Sequence, residues 1–334
     1  MGVDVRVGLI GAGRIGRLHA RILTSLPDVT EIVVADAIPS TAKSVADEVG
    51  ARAVGSAAEA ISGADAVVIA AATDAHASLL RQAVASGKPT FIEKPLASDL
   101  DGSRELVDVV ARAGVAVQVG FQRRFDPAYA EAHRLVAAGE LGVIYVIRLV
   151  AHDAAPPPET YIPTSGGIFR DSSIHDFDAL RFVTGQEVIE VYAVGAVRGF
   201  EMFGRHDDSD SVGAVLQLTD GTIATLSQTR HNPRGYDIRM EIVGSIDAVS
   251  IGLGPRTPTR SLEADGPDFG IGWDSFLTRF EPAYRAELAA FVRVARGEVA
   301  SPCTPADGYA AMRIAVAAAR SIAEHRPVKV ADVI

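Results

Sequence analysis

The sequence predicts an α/β fold in two parts. The first is a parallel sheet wound with helices on both faces; the second is an α+β region built on antiparallel strands. Three observations predict it. Over the first 120 residues, short unbroken apolar runs alternate with helical stretches of ten or more residues, the pattern of strands buried on both faces. Beyond residue 143, strand-like runs follow one another, joined by Asp220-Gly221 and Gly244-Ser245, dipeptides suited to hairpins. The length, 334 residues, exceeds what one hydrophobic core usually serves. The change of character places the boundary near residue 121, giving domains 1–121 and 122–334.

The elements follow in order. Residues 5–10 read as a buried strand, 11–16 as a glycine-rich turn and 18–26 as a helix. A strand over 31–35 ends at Asp36, and a helix spans 39–49. Strands over 66–72, 90–92 and 115–119 alternate with helices over 76–86 and 100–113, stopped by Gly87 and Gly114. A helix over 127–138 then leads to a strand over 143–150 and a Pro/Ala-rich loop over 153–165. A helix over 173–184 precedes strands over 188–197, 212–218, 222–229 and 238–243. Helices over 284–295 and 305–325 close the chain, and no internal repeat is evident.

Composition narrows the function classes. Hydrophobic residues make up 48% and charged residues 22%, ordinary for a folded globular enzyme. No run of 18 apolar residues occurs, and the opening Met1-Gly2-Val3-Asp4-Val5-Arg6 carries neither a leader pattern nor a myristoylation site. The single cysteine, Cys303, forms no internal disulfide, so the expected compartment is the cytoplasm. A net charge of −10, with no block of basic residues, argues against nucleic acid and acidic membrane surfaces as partners. Only four of the 32 basic residues are lysines, so a lysine inside a motif stands out: arginine does not release a proton near neutral pH.

Gly11-Ala12-Gly13-Arg14-Ile15-Gly16 fits G-x-G-x-x-G, after a buried strand and opening a helix, with Asp36 ending the next strand. That context is what a dinucleotide-binding (Rossmann) fingerprint requires. Gly11 permits the tight turn, Gly13 lets the backbone approach a pyrophosphate, and Gly16 lets helix and strand pack closely. The helix N-terminus offers free N–H groups to phosphates. Asp36 accepts from ribose hydroxyls and repels a 2′-phosphate, favouring NAD over NADP, while Arg14 and Arg17 stand near enough to moderate the preference. Thr73-Asp74-Ala75-His76 and Glu93-Lys94-Pro95 follow strand ends and are expected on the nicotinamide side, with His76 alternatively a helix-start residue on a backbone or solvent partner.

Alcohol oxidation needs a proton acceptor and a group that stabilises alkoxide-like charge. A lysine can do both when burial and a cationic coenzyme ring lower its pKa, and Lys94 is the candidate. A second cluster, Gly166-Gly167-Ile168-Phe169-Arg170-Asp171-Ser172-Ser173-Ile174-His175-Asp176-Phe177-Asp178, places Asp171 and His175 four apart, one turn on a helix face. The carboxylate then accepts from an imidazole nitrogen or from Lys94, and Asp178 supports the same face. The bland alternative is a set of helix caps around a core histidine. No H-E-x-x-H and no cysteine pair supports a metal.

Together the glycine fingerprint, Asp36, Glu93-Lys94-Pro95, Gly120-Phe121-Gln122-Arg123-Arg124-Phe125-Asp126 and the Asp171/His175 cluster resemble the Gfo/Idh/MocA oxidoreductases, most similarly the inositol 2-dehydrogenases. The likeness runs nearly end to end and includes Gly235-Tyr236-Asp237-Ile238-Arg239-Met240-Glu241. It implies a Rossmann domain, a C-terminal domain with an open, mainly antiparallel sheet, and packing of those sheets into dimers or a homotetramer. It implies NAD as cofactor, held by Gly11, Ala12, Gly13, Arg14, Ile15, Gly16, Asp36, Thr73, His76, Glu93, Lys94 and Gln122. It implies a catalytic group of Lys94, Asp171 and His175 that oxidises a ring hydroxyl of a cyclic polyol in inositol catabolism. Arg123, Asp153, Tyr236 and Trp273 join that group as candidate substrate contacts, although Arg123 also reads as a surface ion pair and Trp273 as core. His152-Asp153-Ala154-Ala155 stands where relatives often carry Ser-Arg-Asp-Pro, and Ser172-Ser173 where Met-Thr is common, which leaves the isomer open. Two further readings stay open: a dehydrogenase or reductase of another sugar or sugar derivative, and a non-catalytic NAD sensor.

Overall fold

The computed structural model describes residues 4–266 and 270–333; Met1–Val3, part of the segment read for a leader, lies outside them. The chain divides into two compact units, each described by itself. The first comprises Met1–Phe125 and Pro282–Ala310, the second Asp126–Glu281 and Ala311–Ile334.

In the first unit, strands and helices alternate from β1 (Val5–Ile10) and α1 (Arg14–Thr24) through β2 (Val29–Ala35), α2 (Pro39–Val49), β3 (Arg52–Ala53), α3 (Ala57–Ser62) and β4 (Ala66–Ile69). They continue with α4 (Thr73–Ala85), β5 (Thr90–Glu93), α5 (Leu100–Ala113) and β6 (Val117–Gly120). The sheet has six strands in the order β3-β2-β1-β4-β5-β6, and every pairing in it is parallel. Strand order therefore reverses at β1, and the turn after β1 opens at that switch point, where such sheets bind ligands. The short pair β3 and α3 escapes the apolar pattern because β3 is exposed. Helices α1 and α4 begin several residues earlier than their apolar periodicity shows, which brings Arg14 and Thr73 into first turns.

The second unit holds α6 (Pro127–Ala137), β7 (Ile144–His152), α7 (Ile162–Ser165), α8 (Ile174–Thr184), β8 (Val188–Ala196), α9 (Glu201–Gly204), β9 (Ser211–Leu218) and β10 (Ile223–Thr229). Strands β11 (Asp237–Gly244) and β12 (Ala248–Ile251) follow, then α10 (Phe276–Arg279). Helices α11 (Glu281–Ala295) and α12 (Pro305–Glu324) lie largely within and partly within the first unit's share of the chain, and β13 (Val328–Lys329) returns to the second. The seven-stranded sheet runs β12-β11-β7-β10-β9-β8-β13. It is antiparallel except at β7/β10, which pair in parallel with His152 opposite Thr229. Gly221, at φ +92°, makes the β9–β10 hairpin that Asp220-Gly221 predicts. Alternation sorts the faces: Val212, Ala214, Leu216 and Leu218 of β9 are buried, whereas Val215 is exposed.

Candidate functional site

The glycine turn of the first unit is shaped by close backbone approach. Gly11 has φ +97°, and a Cβ there would stand 2.5 Å from the backbone of Ala70 and Ala71. A Cβ on Gly16 would stand 1.9 Å from the Gly11 carbonyl oxygen, so helix and strand touch at a point with no room for a side chain. Gly13 differs: nothing lies within 4 Å of its added Cβ, and its backbone needs no special conformation. Open space therefore lies over its backbone. Gly13 also caps α1 without a side-chain hydrogen bond, leaving N–H groups of the first turn for an anion.

Asp36 stands at the end of β2 and accepts from the Ala12 N–H at 2.7 Å and the Ile38 N–H at 2.8 Å. The carboxylate thus ties the strand end to the glycine turn. Arg17 and Arg21 share Glu48, so Arg17 is committed on the helix surface. Arg14 and Ile15 occupy the first turn of α1, and Thr73 the first turn of α4. Gln122 follows β6 in a short 3₁₀ turn, 3% exposed, and its side-chain oxygen has no hydrogen-bond partner among the described residues. An orphaned buried acceptor is rare in a finished interior and fits a donor supplied by a ligand.

His76 has the backbone partners that one of its two readings from sequence allows. Its ring is 1% exposed, with Nδ1 2.8 Å from the Pro95 carbonyl oxygen and Nε2 3.1 Å from that of Ala71. The ring braces the loop after β4 against the loop that carries Lys94, so it acts on both through their backbones. Burial pushes its pKa down, against the pull of the two carbonyls. Glu93 is also held from within: its Oε1 is 2.7 Å from Nε2 of the fully buried His19, and its Oε2 accepts from the Lys94 N–H at 3.3 Å. His19 sits edge-on to Phe91, at 5.4 Å between ring centroids. Lys94 itself is half-buried.

In the second unit, Asp171 does not begin an α-helix. It lies in a π-helical turn, Phe169–Ser173, that runs into α8 and carries His175 in the first turn of that helix. Wider turns of this kind recur at functional sites because they re-aim side chains. The Asp171 carboxylate takes a hydrogen bond from the Tyr161 hydroxyl at 2.8 Å and pairs with Arg230 Nη1 at 2.9 Å. Asp153 meets the same nitrogen at 3.5 Å. Burial would lower the Arg230 pKa, but Asp171 and Asp153 outweigh it and hold it above the ordinary value. His175 is half-buried, and Asp178 is fully buried below it on α8.

Arg123 is buried and does not lie on the surface. Tyr236 and Trp273 are joined by a hydrogen bond from the Tyr236 N–H to the Trp273 carbonyl at 2.7 Å, and Arg256 lies over the Trp273 ring at 4.4 Å. Sequence reasoning missed Arg230, Tyr161 and His19. His19 shares the α1 face that points into the fold, which periodicity could have shown; Arg230 follows a strand end, but its partners depend on the parallel β7/β10 pairing. No cluster suited to a metal occurs among the described residues.

Two family profiles match the chain: an oxidoreductase family with an NAD-binding Rossmann fold over residues 5–121, and the GFO/IDH/MocA C-terminal domain over residues 129–249. An inositol 2-dehydrogenase of Rhizobium meliloti is 38% identical over 332 residues, covering 98% of this chain and 100% of its own. Among solved structures, a myo-inositol dehydrogenase from Corynebacterium glutamicum superposes with a TM-score of 0.90 at 34% identity, covering 98% of this chain and 99% of that one. A scyllo-inositol dehydrogenase from Lactobacillus casei with bound NAD(H) and scyllo-inositol gives 0.89 at 29% identity, with the same coverage.

Proposed function

Because the chain belongs to the GFO/IDH/MocA oxidoreductase family, we propose that it oxidises a secondary ring hydroxyl of myo-inositol or a related cyclic polyol to the ketone, with NAD as cofactor. One arrangement carries the reading: His175, a general-base residue type, stands one turn beyond a carboxylate whose charge a buried guanidinium secures.

The glycine turn fits a pyrophosphate by the space over Gly13, and Asp36 fits the adenosine ribose at the end of β2. Gly11, Ala12, Arg14, Ile15 and Gly16 build that cradle, while Thr73, Glu93, Lys94 and Gln122 serve the nicotinamide end and His76 braces it. Bound NAD⁺ supplies the hydride acceptor. Lys94 binds and polarises the hydroxyl oxygen with its ammonium group. His175 takes the hydroxyl proton on a ring nitrogen, and Asp171 orients the group and favours the imidazolium that forms. Arg123, Asp153, Tyr236 and Trp273 hold the remaining hydroxyls. The supporting likeness to enzymes of both myo- and scyllo-inositol leaves the isomer to experiment.

The enzyme works as a homo-oligomer, a tetramer in our reading, in the cytoplasm and within inositol breakdown. Support for assembly comes from an open sheet that exposes Tyr192, Val194, Val215 and Ile223 on one face. No described helix is long and apolar enough to cross a membrane.

A panel of inositols, aldoses, deoxysugars and amino sugars, read at 340 nm with NAD and with NADP, tests the activity. The reading expects NAD-linked oxidation of an inositol, Lys94→Met that binds NAD without turnover, and His175→Ala with kcat lowered about 10²–10⁴-fold and a changed pH profile. NAD binding with no turnover of any polyol refutes it in favour of a sensor.

A further inference from the structure

The parallel pairing of β7 with β10 has a chemical consequence at their shared end. His152 lies opposite Thr229, so the next residues, Asp153 and Arg230, leave the sheet side by side. The Asp153 N–H donates to the Thr229 carbonyl at 3.0 Å, and the Arg230 N–H to the Asp210 carbonyl at 2.8 Å, which fixes both backbones. The Arg230 guanidinium runs inward: the residue is 3% exposed, and the Phe203 ring lies 6.0 Å away. Its Nη1 meets Asp171 at 2.9 Å and Asp153 at 3.5 Å. The carboxylates keep more contact with the surface, at 13% and 26% side-chain exposure against 4% for the arginine. A cation therefore lies beneath two carboxylates that remain open above it.

Such an arrangement is costly to bury and holds only while the charges stay together. Arginine cannot exchange a proton at neutral pH, so it acts here through its neighbours. One nitrogen of its rigid plane, Nη1, meets both carboxylates, and that plane fixes where the nitrogen stands, which an ammonium on a flexible stem does less well. Two ionised carboxylates joined to one nitrogen present acceptor oxygens side by side, as neighbouring hydroxyls of one ring require.

We infer that Arg230 is a positioning residue of the polyol site, holding Asp171 and Asp153 ionised and aimed as paired acceptors for adjacent substrate hydroxyls. The inference rests on the dehydrogenase reading above, and the experiment separates the two. Wild type, Arg230→Lys and Arg230→Met are compared for kcat and KM toward myo-inositol across pH, for KM toward NAD, and for NADH affinity by fluorescence. Arg230→Lys keeps the charge and loses the rigid plane that places Nη1 between the two carboxylates, so kcat/KM for the polyol falls about 10²-fold while NADH affinity and the acid limb of the profile stay put. Arg230→Met, where it folds, also moves the acid limb to higher pH, because a positive charge near the proton acceptor's partner is gone. Where it does not fold, Arg230→Lys decides. Polyol kcat, KM and pH profile within twofold of wild type in Arg230→Lys overturn the inference while the dehydrogenase reading stands. An equal loss toward NAD and polyol also overturns it, since that marks general structural damage. A wild type inactive on every polyol removes the dehydrogenase reading and this inference with it.

Discussion

Replacing Gly13 and Gly16 by alanine, one at a time, separates what a glycine does for the chain from what it does for a ligand. At Gly16 the new methyl carbon would stand 1.9 Å from the Gly11 carbonyl oxygen, and ordinary contact begins near 3.4 Å. Helix α1 and the turn must part by about 1.5 Å, and neither atom belongs to a side chain that can rotate away. Overpacking of this kind costs about 1–3 kcal/mol, enough to lower Tm by several degrees. At Gly13 the added methyl meets nothing within 4 Å, and φ −67° with ψ −162° suits any residue. Gly13→Ala therefore keeps Tm at or above wild type, since alanine restricts the unfolded chain by about 0.4–1 kcal/mol. If a pyrophosphate packs on that backbone, the same methyl weakens NADH binding at least about tenfold, the equivalent of roughly 1.4 kcal/mol. Thermal unfolding and NADH fluorescence titration on both variants read the two effects. Gly13→Ala binding NADH as tightly as wild type would show that the dinucleotide does not lie over Gly13, and the reading of the turn would fail.

Other expectations follow from single contacts. Asp36→Ser removes the ribose acceptor and the partner of the Ala12 and Ile38 amides, so the ratio of kcat/KM for NAD over NADP should fall at least about tenfold, as paired coenzyme kinetics would show. His76 has a lowered pKa through burial, so below about pH 6.5 the unfolded chain takes a proton that the folded chain resists. Stability should drop as pH falls from 7.5 to 5.5, and urea midpoints of His76→Gln should show a smaller drop; an equal drop would assign the effect elsewhere. Tyr192→Asp with Val215→Asp places two charges on the exposed sheet face and should dissociate the oligomer in light scattering, while an unchanged mass would move the interface off that face.

Local physics made much of this legible before any coordinates. Strands buried on both faces are largely apolar, so β1, β4 and β5 stand out despite Arg6, Thr90 and Glu93, and a tight turn from strand to helix needs glycine, so 11–16 does too. The Asp220-Gly221 hairpin needs a positive φ, and glycine supplies it. Long-range pairing was not legible in the same way. β3 is two exposed residues with no apolar pattern, α3 is marked only by the Ser56-x-x-Glu59 cap at its start, and no pattern shows that Pro282–Ala310 packs with the first unit.

The candidate site divides along the same line. Lys94, Asp171 and His175 were chosen by residue type and spacing, which decide what chemistry a side chain can perform. Their settings were decided by contacts between residues far apart in the chain. The 171–175 spacing predicts one turn between the two side chains; the structure makes that turn π-helical, and residues far away in the chain, Arg230 and Tyr161, bind Asp171. For His76 the sequence leaves a coenzyme-side place and a backbone partner equally open, and only the fold supplies the partners, with the ring between the carbonyls of Pro95 and Ala71. The sequence by itself determined the fold class and the glycine turn, because each follows from backbone sterics and burial within a few residues, and it nominated Lys94, Asp171 and His175 by side-chain chemistry alone. Only the tertiary structure decided that Arg230 lies beneath Asp171 and Asp153, because strand order and direction bring those residues together, and these are set by packing of the whole sheet.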